Sequence, residues 1–454
     1  MEQLYKLVWG WPLLLLVMGA GIFFTLALRG LQFRYLPYAL KLALLPQKEM
    51  SGKGDITHFQ SLMTALAGTI GIGNIAGVAT AITMGGMGAL FWMWVVALVG
   101  MSVKFSEAIL ALKFRVSDKE GQMSGGPMYF IEKGLGWKKL AASFALLGAL
   151  AAFGGGNMLQ ANTVADVMEG VFGVNTWISG IVMALVCGLT LLGGIKSIGR
   201  ISAILVPVMA LFYLGAGIII LAACYDKIPG VLTLIVTSAF SGQAAAGGFM
   251  GASMAYALQV GISRGLMTSE AGLGTASIAA AAAKSDHPGR QAMVSMTGSF
   301  LSTVLLCSIT ALILGVTEVQ GVMGPAGKQL TGASLTIAAF QKVIPGGIYL
   351  VAIGLLLFAI TTIFGWAYYG EKCMEYLLGS RSVPLYRTLF SLAVIPGAVL
   401  ELDLVWKLSD ILNGLMAFPN LIGLIALTPV IISETKSFLV LLQKERREHE
   451  PCFE

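Results

Sequence analysis

The chain has 454 residues, 57% of them hydrophobic and only 11% charged, with a mean hydropathy of +0.83. A disordered chain needs the charge that is missing here, and a soluble domain carries about 25% charged residues. What remains is a polytopic membrane protein, and its net charge of +6 points to no partner until the charges are placed.

The apolar runs are about 20 residues long rather than alternating runs of about ten, which selects helices over a closed barrel. Eleven spans are predicted in chain order: 5–28, 58–84, 88–112, 141–169, 176–194, 201–223, 229–262, 291–316, 346–370, 384–400 and 409–434. The first is too long for the apolar stretch of a signal peptide, and Glu2 offsets Lys6 ahead of it.

The second span holds Gly68-Thr69-Ile70-Gly71-Ile72-Gly73-Asn74-Ile75-Ala76-Gly77 at mid-depth. Residues 71–76 match the dinucleotide fingerprint G-x-G-x-x-A, but no strand precedes them and the next acidic residue is Glu107. Glycine costs a helix about 1 kcal/mol per position relative to alanine. A cluster therefore permits unwinding, and freed backbone groups at that depth must line a cavity or meet a ligand. Close packing through small residues is the competing reading; the flanking Thr69 and Asn74 favour a break.

In the third span Lys104 and Glu107 lie one turn apart, which reads as a structural pair near the inner interface. In the fourth, the glycines 154–156 precede Asn157 and Gln160 on one face. The seventh holds a second glycine-rich stretch, 241–253, with Phe249 and Met250 at its centre. Two broken helices at corresponding places in two halves point to a transporter site. The ninth offers Thr361, Thr362 and Trp366. A lone threonine usually bonds its own i−4 carbonyl. A pair facing a broken helix supplies the hard oxygens that a small alkali cation takes.

Numbering the connections alternately gives the orientation. Lys6, Lys227, Lys328, Lys342 and Lys407 fall on one side. Lys104 lies within a span, and the other 23 of the 29 basic residues, Arg264 among them, fall on the opposite side. That bias places the second side, and the C-terminus, in the cytoplasm and the N-terminus outside. The five cysteines and three histidines are scattered, with no disulfide framework or zinc spacing. No paired carboxylates or His/Asp constellation mark an enzyme. A channel also uses broken helices and is the second class to separate.

At these residues the chain resembles the alanine/glycine:cation symporter family. Gly85-Gly86-Met87-Gly88-Ala89-Leu90-Phe91-Trp92-Met93-Trp94-Val95-Val96-Ala97-Leu98-Val99-Gly100 looks like its signature, and Gly71-Ile72-Gly73-Asn74 like its unwound first core helix. Ser269-Glu270-Ala271-Gly272-Leu273-Gly274-Thr275-Ala276-Ser277 resembles its cytoplasmic loop, with Ser277 where many members have proline; that loop is expected to lie outside the site. The resemblance runs from about residue 5 to 435.

It implies an all-α leucine-transporter fold, with a five-plus-five inverted repeat and one extra N-terminal helix. The parts would be 1–57, the extra helix and a basic connection; 58–228 and 229–435, the two repeats; and 436–454, a cytoplasmic tail. It implies sodium-coupled uptake of alanine and glycine across the plasma membrane, with a larger neutral amino acid such as glutamine, or proton coupling, as the alternative. By resemblance, the substrate carboxylate would meet the amides of Gly71 and Gly73 beside Thr69 and Asn74. Gln160, Phe249, Met250, Thr362 and Trp366 would complete the pocket. Sodium would take the carbonyls of Ala67, Ile70 and Phe358 and the hydroxyls of Thr361 and Thr362. A monomer is compatible with this reading.

Overall fold

The computed structural model describes Gln3 and residues 7–45, 52–117, 121–240, 254–324, 327–400 and 402–449. The second glycine-rich stretch, with Phe249 and Met250, lies outside them. Helices α1 (Trp11–Ala27) and α2 (Leu36–Leu44) precede a helix broken in two, α3 (His58–Thr69) and α4 (Ala76–Gly85). Then come α5 (Gly88–Lys113), α6 (Pro127–Leu135), α7 (Lys138–Phe153), α8 (Leu159–Phe172), α9 (Thr176–Leu192) and α10 (Gly194–Ala223). Next follow α11 (Ile228–Phe240), α12 (Met254–Ser269), α13 (Thr275–Ala281), α14 (Pro288–Ser299), α15 (Ser308–Val316) and α16 (Gly332–Val343). The last are α17 (Gly347–Leu378), α18 (Val383–Val399), α19 (Leu402–Ala426) and α20 (Thr428–His449). The two-residue strands β1 (Val116–Ser117) and β2 (Met123–Ser124) pair antiparallel between α5 and α6.

Seven helices among the described residues are long and apolar enough to cross a membrane. Burial sorts them. In its most apolar window α5 is 83% buried and α10 only 33%, so α5 is central and α10 presents Ile204, Leu211, Ile218 and Ile219 outward. In water such a face would be an aggregation hazard; against lipid tails it costs nothing.

The predicted break is present. A capping box closes the start of α3, with the Gln60 amide donating to the Thr57 hydroxyl and the Thr57 amide to the Gln60 side chain, each at 3.1 Å. The helix ends at Ile70, a single tight turn covers Ile72–Asn74, and α4 restarts at Ala76. Helix α17 crosses α3 just below the break. A Cβ built on Gly365 would lie 2.6 Å from the Gly68 nitrogen, so only glycine permits this approach. α7 runs into α8 through a wide π-turn, Gly154–Met158, and a second π-turn, Phe300–Cys307, joins α14 to α15. Such turns often mark functional sites.

Several expectations need correction. The run 409–434 is not one span: α19 ends at Ala426 and α20 begins at Thr428. Beyond Lys436 the described residues, up to His449, continue a docked helix. Within α20, Glu434 meets Lys113 at 2.7 Å, Glu445 meets Arg290 at 2.5 Å, and Phe438 is fully buried. Lys104 and Glu107 do not pair within 4 Å. Glu107 Oε1 instead accepts from the amides of Gly272 and Gly274 and from Asn420 Nδ2, at 3.0, 3.1 and 2.7 Å. It thereby fixes the loop between α12 and α13. Arg264 lies in no cytoplasmic connection; it is buried within α12.

Candidate cation and substrate site

The break leaves the last carbonyls of α3 without helical partners, and α17 meets them. Thr362 Oγ1 lies 3.0 Å from the Ala67 carbonyl oxygen, 3.4 Å from that of Ile70 and 2.8 Å from that of Phe358. A hydroxyl has one proton to donate, so two of these three oxygens face Thr362 with no hydrogen between. Thr361 Oγ1 lies 3.0 Å from the Phe358 carbonyl oxygen and 3.0 Å from that of Leu357, against Met209 Sδ. Of the five expected cation ligands, Ala67, Ile70, Phe358 and Thr362 converge, and Thr361 joins them through the Phe358 oxygen. All five are buried. One turn on, Trp366 Nε1 donates to the Gly68 carbonyl at 3.1 Å.

Beside this cluster a cavity of ≈ 570 Å³, its mouth included, lies between α3, α4, α8, α12, α17 and α19. Thr69, Gly71, Gly73, Gln160, Thr362 and Trp366 line it, as anticipated. Gln160 is held from both ends: Nε2 donates to the Gly155 carbonyl at 3.0 Å and Oε1 accepts from the Ile72 amide at 3.4 Å.

Two anticipated residues are turned to other tasks. Asn74 caps the break, with Oδ1 accepting from the Gly71 amide at 3.2 Å and Nδ2 donating to the Ser302 carbonyl at 3.1 Å. It does not line the cavity. Thr69 does, but its hydroxyl sits 2.7 Å from the Ala65 carbonyl oxygen and 3.1 Å from Glu270 Oε2.

The structure adds residues that the sequence did not single out. Glu270, expected outside the site, is buried in the cavity wall with Leu273. Its Oε2 also accepts from the Thr275 hydroxyl at 3.1 Å. This carboxylate ties α3, the first part of the broken helix, to the α12–α13 turn. Arg264 meets Asp410 at 3.2 Å, both side chains under a tenth exposed, and its guanidinium lies 5.4 Å from the Trp406 ring centroid. A signal existed for this pair, since charged residues within apolar spans are functional or paired by default. Nothing local said that residues 264 and 410 would meet.

A family model described as the sodium:alanine symporter family matches residues 1–453. The chain belongs to that family. It is a multi-pass membrane transporter, not an enzyme. The sodium/alanine symporter AgcS of Methanococcus maripaludis is 51% identical, over 97% of this chain and 97% of its own. A probable sodium/glutamine symporter, GlnT of Bacillus subtilis, is 36% identical over 95% of this chain and 88% of its own. Among solved structures, that of MhsT in complex with L-phenylalanine superposes with a TM-score of 0.59 at 13% identity, covering 84% of this chain and 98% of the other. The fold of this family member is therefore the leucine-transporter type.

Proposed function

We propose that this protein carries alanine, and by the same site glycine, into the cell together with sodium by alternating access. One observation carries the reading most: three carbonyl oxygens from two helices within 3.4 Å of a single hydroxyl. That set is incomplete without a cation. Membership of the sodium:alanine symporter family supports the choice of sodium and alanine.

The amino acid fits beside the cation. Its carboxylate takes the amides of the break, where the start of α4 favours negative charge. The Gly71 amide is released to it only when Asn74 Oδ1 yields. Gln160, Thr362 and Trp366 then bound the pocket, and Phe249 and Met250 are assigned to its remaining wall. A sodium ion between Ala67, Ile70, Phe358, Thr361 and Thr362 holds α3 against α17, which favours the state open outside. Its departure frees α3 to leave Trp366 and Glu270, opening the inner side. The membrane potential adds about 2.3 kcal/mol per charge per 100 mV.

The packing supports two inverted repeats over 58–228 and 229–435, with residues 1–57 added before them. Among the most closely packed helix pairs are α5 with α14, the helix continuous from α7 with α17, and α9 with α18, alongside α5 with α12. The first three each join a helix of the first half to the helix five spans on, which is compatible with a two-fold axis between repeats. Eleven spans and an outside N-terminus are assigned with it, on the uneven distribution of the basic residues.

Two experiments test this. In proteoliposomes, labelled alanine should accumulate against its gradient under an inward sodium gradient, and the accumulation should collapse when that gradient is dissipated. Equilibration without accumulation would mean a channel. For orientation, Tyr225→Cys on a cysteine-free background should react with an impermeant maleimide from outside intact cells. Arg381→Cys should react only after permeabilisation. The opposite pattern would invert the topology.

A further inference from the structure

The helix that precedes the repeats has no task in the transport reading, yet the segment leading into α1 is tied to two walls of the cavity. Trp9 is 1% exposed. Its Nε1 donates to the Asp410 carbonyl oxygen on α19 at 2.9 Å, and its own carbonyl accepts from Gln259 Nε2 on α12 at 3.1 Å. Helix α19 leaves room for this segment. A Cβ built on Gly414 would lie 2.4 Å from Val8 Cγ1 and 3.3 Å from Trp9 Cε2.

The two helices that Trp9 joins are also the two that Arg264 joins. Arg264 on α12 meets the Asp410 carboxylate at 3.2 Å. The same residue of α19 is thus held to α12 twice, directly by its side chain and through Trp9 by its carbonyl. Arg264 and Trp406 line the cavity, so parting α12 from α19 here opens it. With the N-terminus outside, that opening is on the outer side. Lipid tails do not drive helices together as water does, so polar bonds weigh in whether these two stay closed.

We propose that Trp9 is a positioning residue of the outer closure. It holds the outer part of α19 against α12 so that Arg264 and Asp410 meet, and the first helix thereby serves as a clasp on the cavity. The proposal rests on the transport reading above and adds to it a residue from outside the repeats.

The test compares Trp9→Phe, which keeps a ring and loses the donor, with Trp9→Ala, which loses both. The bond from Gln259 goes to the main chain and survives either change. One readout is the KM and maximal rate of alanine uptake in proteoliposomes. The other is the rate at which Met267→Cys, in the cavity wall, reacts with an impermeant maleimide from outside intact cells, on a cysteine-free background. A closure that is harder to hold weakens capture of alanine. Losing the one hydrogen bond in Trp9→Phe should raise the alanine KM about two- to tenfold, with a smaller change in maximal rate. The cysteine should react faster by a similar factor, and Trp9→Ala should exceed Trp9→Phe in both. On an Arg264→Gln background Trp9→Phe should add little to the cysteine rate, because both act on one contact. Full additivity overturns the proposal. So does a Trp9→Phe protein with an unchanged KM or an unchanged cysteine rate; a lower maximal rate alone marks Trp9 as structural. If wild type takes up no alanine but the cysteine reacts faster in Trp9→Phe, the clasp stands and the transport reading falls. Uptake with an unchanged cysteine rate in both variants keeps transport and removes the clasp.

Discussion

Replacing Thr362 with alanine is expected to weaken the sodium dependence of alanine uptake on the order of 10- to 100-fold, the range for losing a hydrogen-bonding partner of a charged group. The expectation follows from position rather than residue type. Thr362 Oγ1 reaches both the end of α3 and its own helix, at 3.0 Å from the Ala67 oxygen and 2.8 Å from that of Phe358. At the proposed cation site its removal would take away one ligand, and it loosens the contact between α3 and α17. Thr362→Ser keeps the oxygen and should retain most of the sodium response. Thr361→Ala should do less, since Thr361 reaches α10 at Met209 and not α3. The measurement is initial alanine uptake against external sodium in proteoliposomes. A Thr362→Ala protein with the wild-type sodium response would remove the cation from this place.

The second large effect is expected from Gly156→Ala, a change of one methyl group. A Cβ there would sit 2.2 Å from Trp366 Cβ and 2.3 Å from its Cγ. No real contact is that short, and Cβ does not move when the indole turns, so α17 must shift and carry Trp366 away from its bond to the Gly68 carbonyl. Overpacking of this kind costs typically 1–3 kcal/mol. Here it also displaces a residue that lines the cavity, and alanine uptake should fall at least about tenfold. Trp366→Ala alone should widen the cavity and admit larger neutral side chains in a competition assay. Alanine at 366 keeps the clashing Cβ, so rescue needs Trp366→Gly: in the Gly156→Ala/Trp366→Gly double variant the methyl group has room, and uptake should partly recover relative to Gly156→Ala, as expected for two residues in direct contact. If the two effects simply add, Gly156 acts through the membrane helix itself and not through Trp366.

The sequence made some of this legible and hid the rest for identifiable reasons. The break at 68–77 showed because glycines cluster within an apolar run, a signal confined to ten consecutive residues. Thr361 and Thr362 showed because adjacent hydroxyls are uncommon at mid-membrane depth. The long spans showed because hydropathy sums over about 20 residues. Where helix ends depended on tertiary packing, the reading drifted. Residues 409–434 are apolar enough to look continuous, yet the chain turns at Leu427. Asn74 was placed on the substrate because it is polar and near the break; Ser302, 228 positions away, decides its direction instead.

Composition and spacing alone thus determined that this chain lies in lipid as helices, that two of them are glycine-rich at mid-depth, and which ends carry the basic residues. Those properties depend on solvent transfer and local backbone cost, and both are written residue by residue. The tertiary structure decided which polar groups share a cavity. It brought Thr362 to Ala67 over 295 positions, Arg264 to Asp410 over 146 and Glu270 to Thr69 over 201. Helical periodicity assigns a residue to a face, but only packing assigns that face a neighbour. In a membrane, where lipid tails are as apolar as leucine, polar pairing and close fit select the neighbour, because the hydrophobic effect does not.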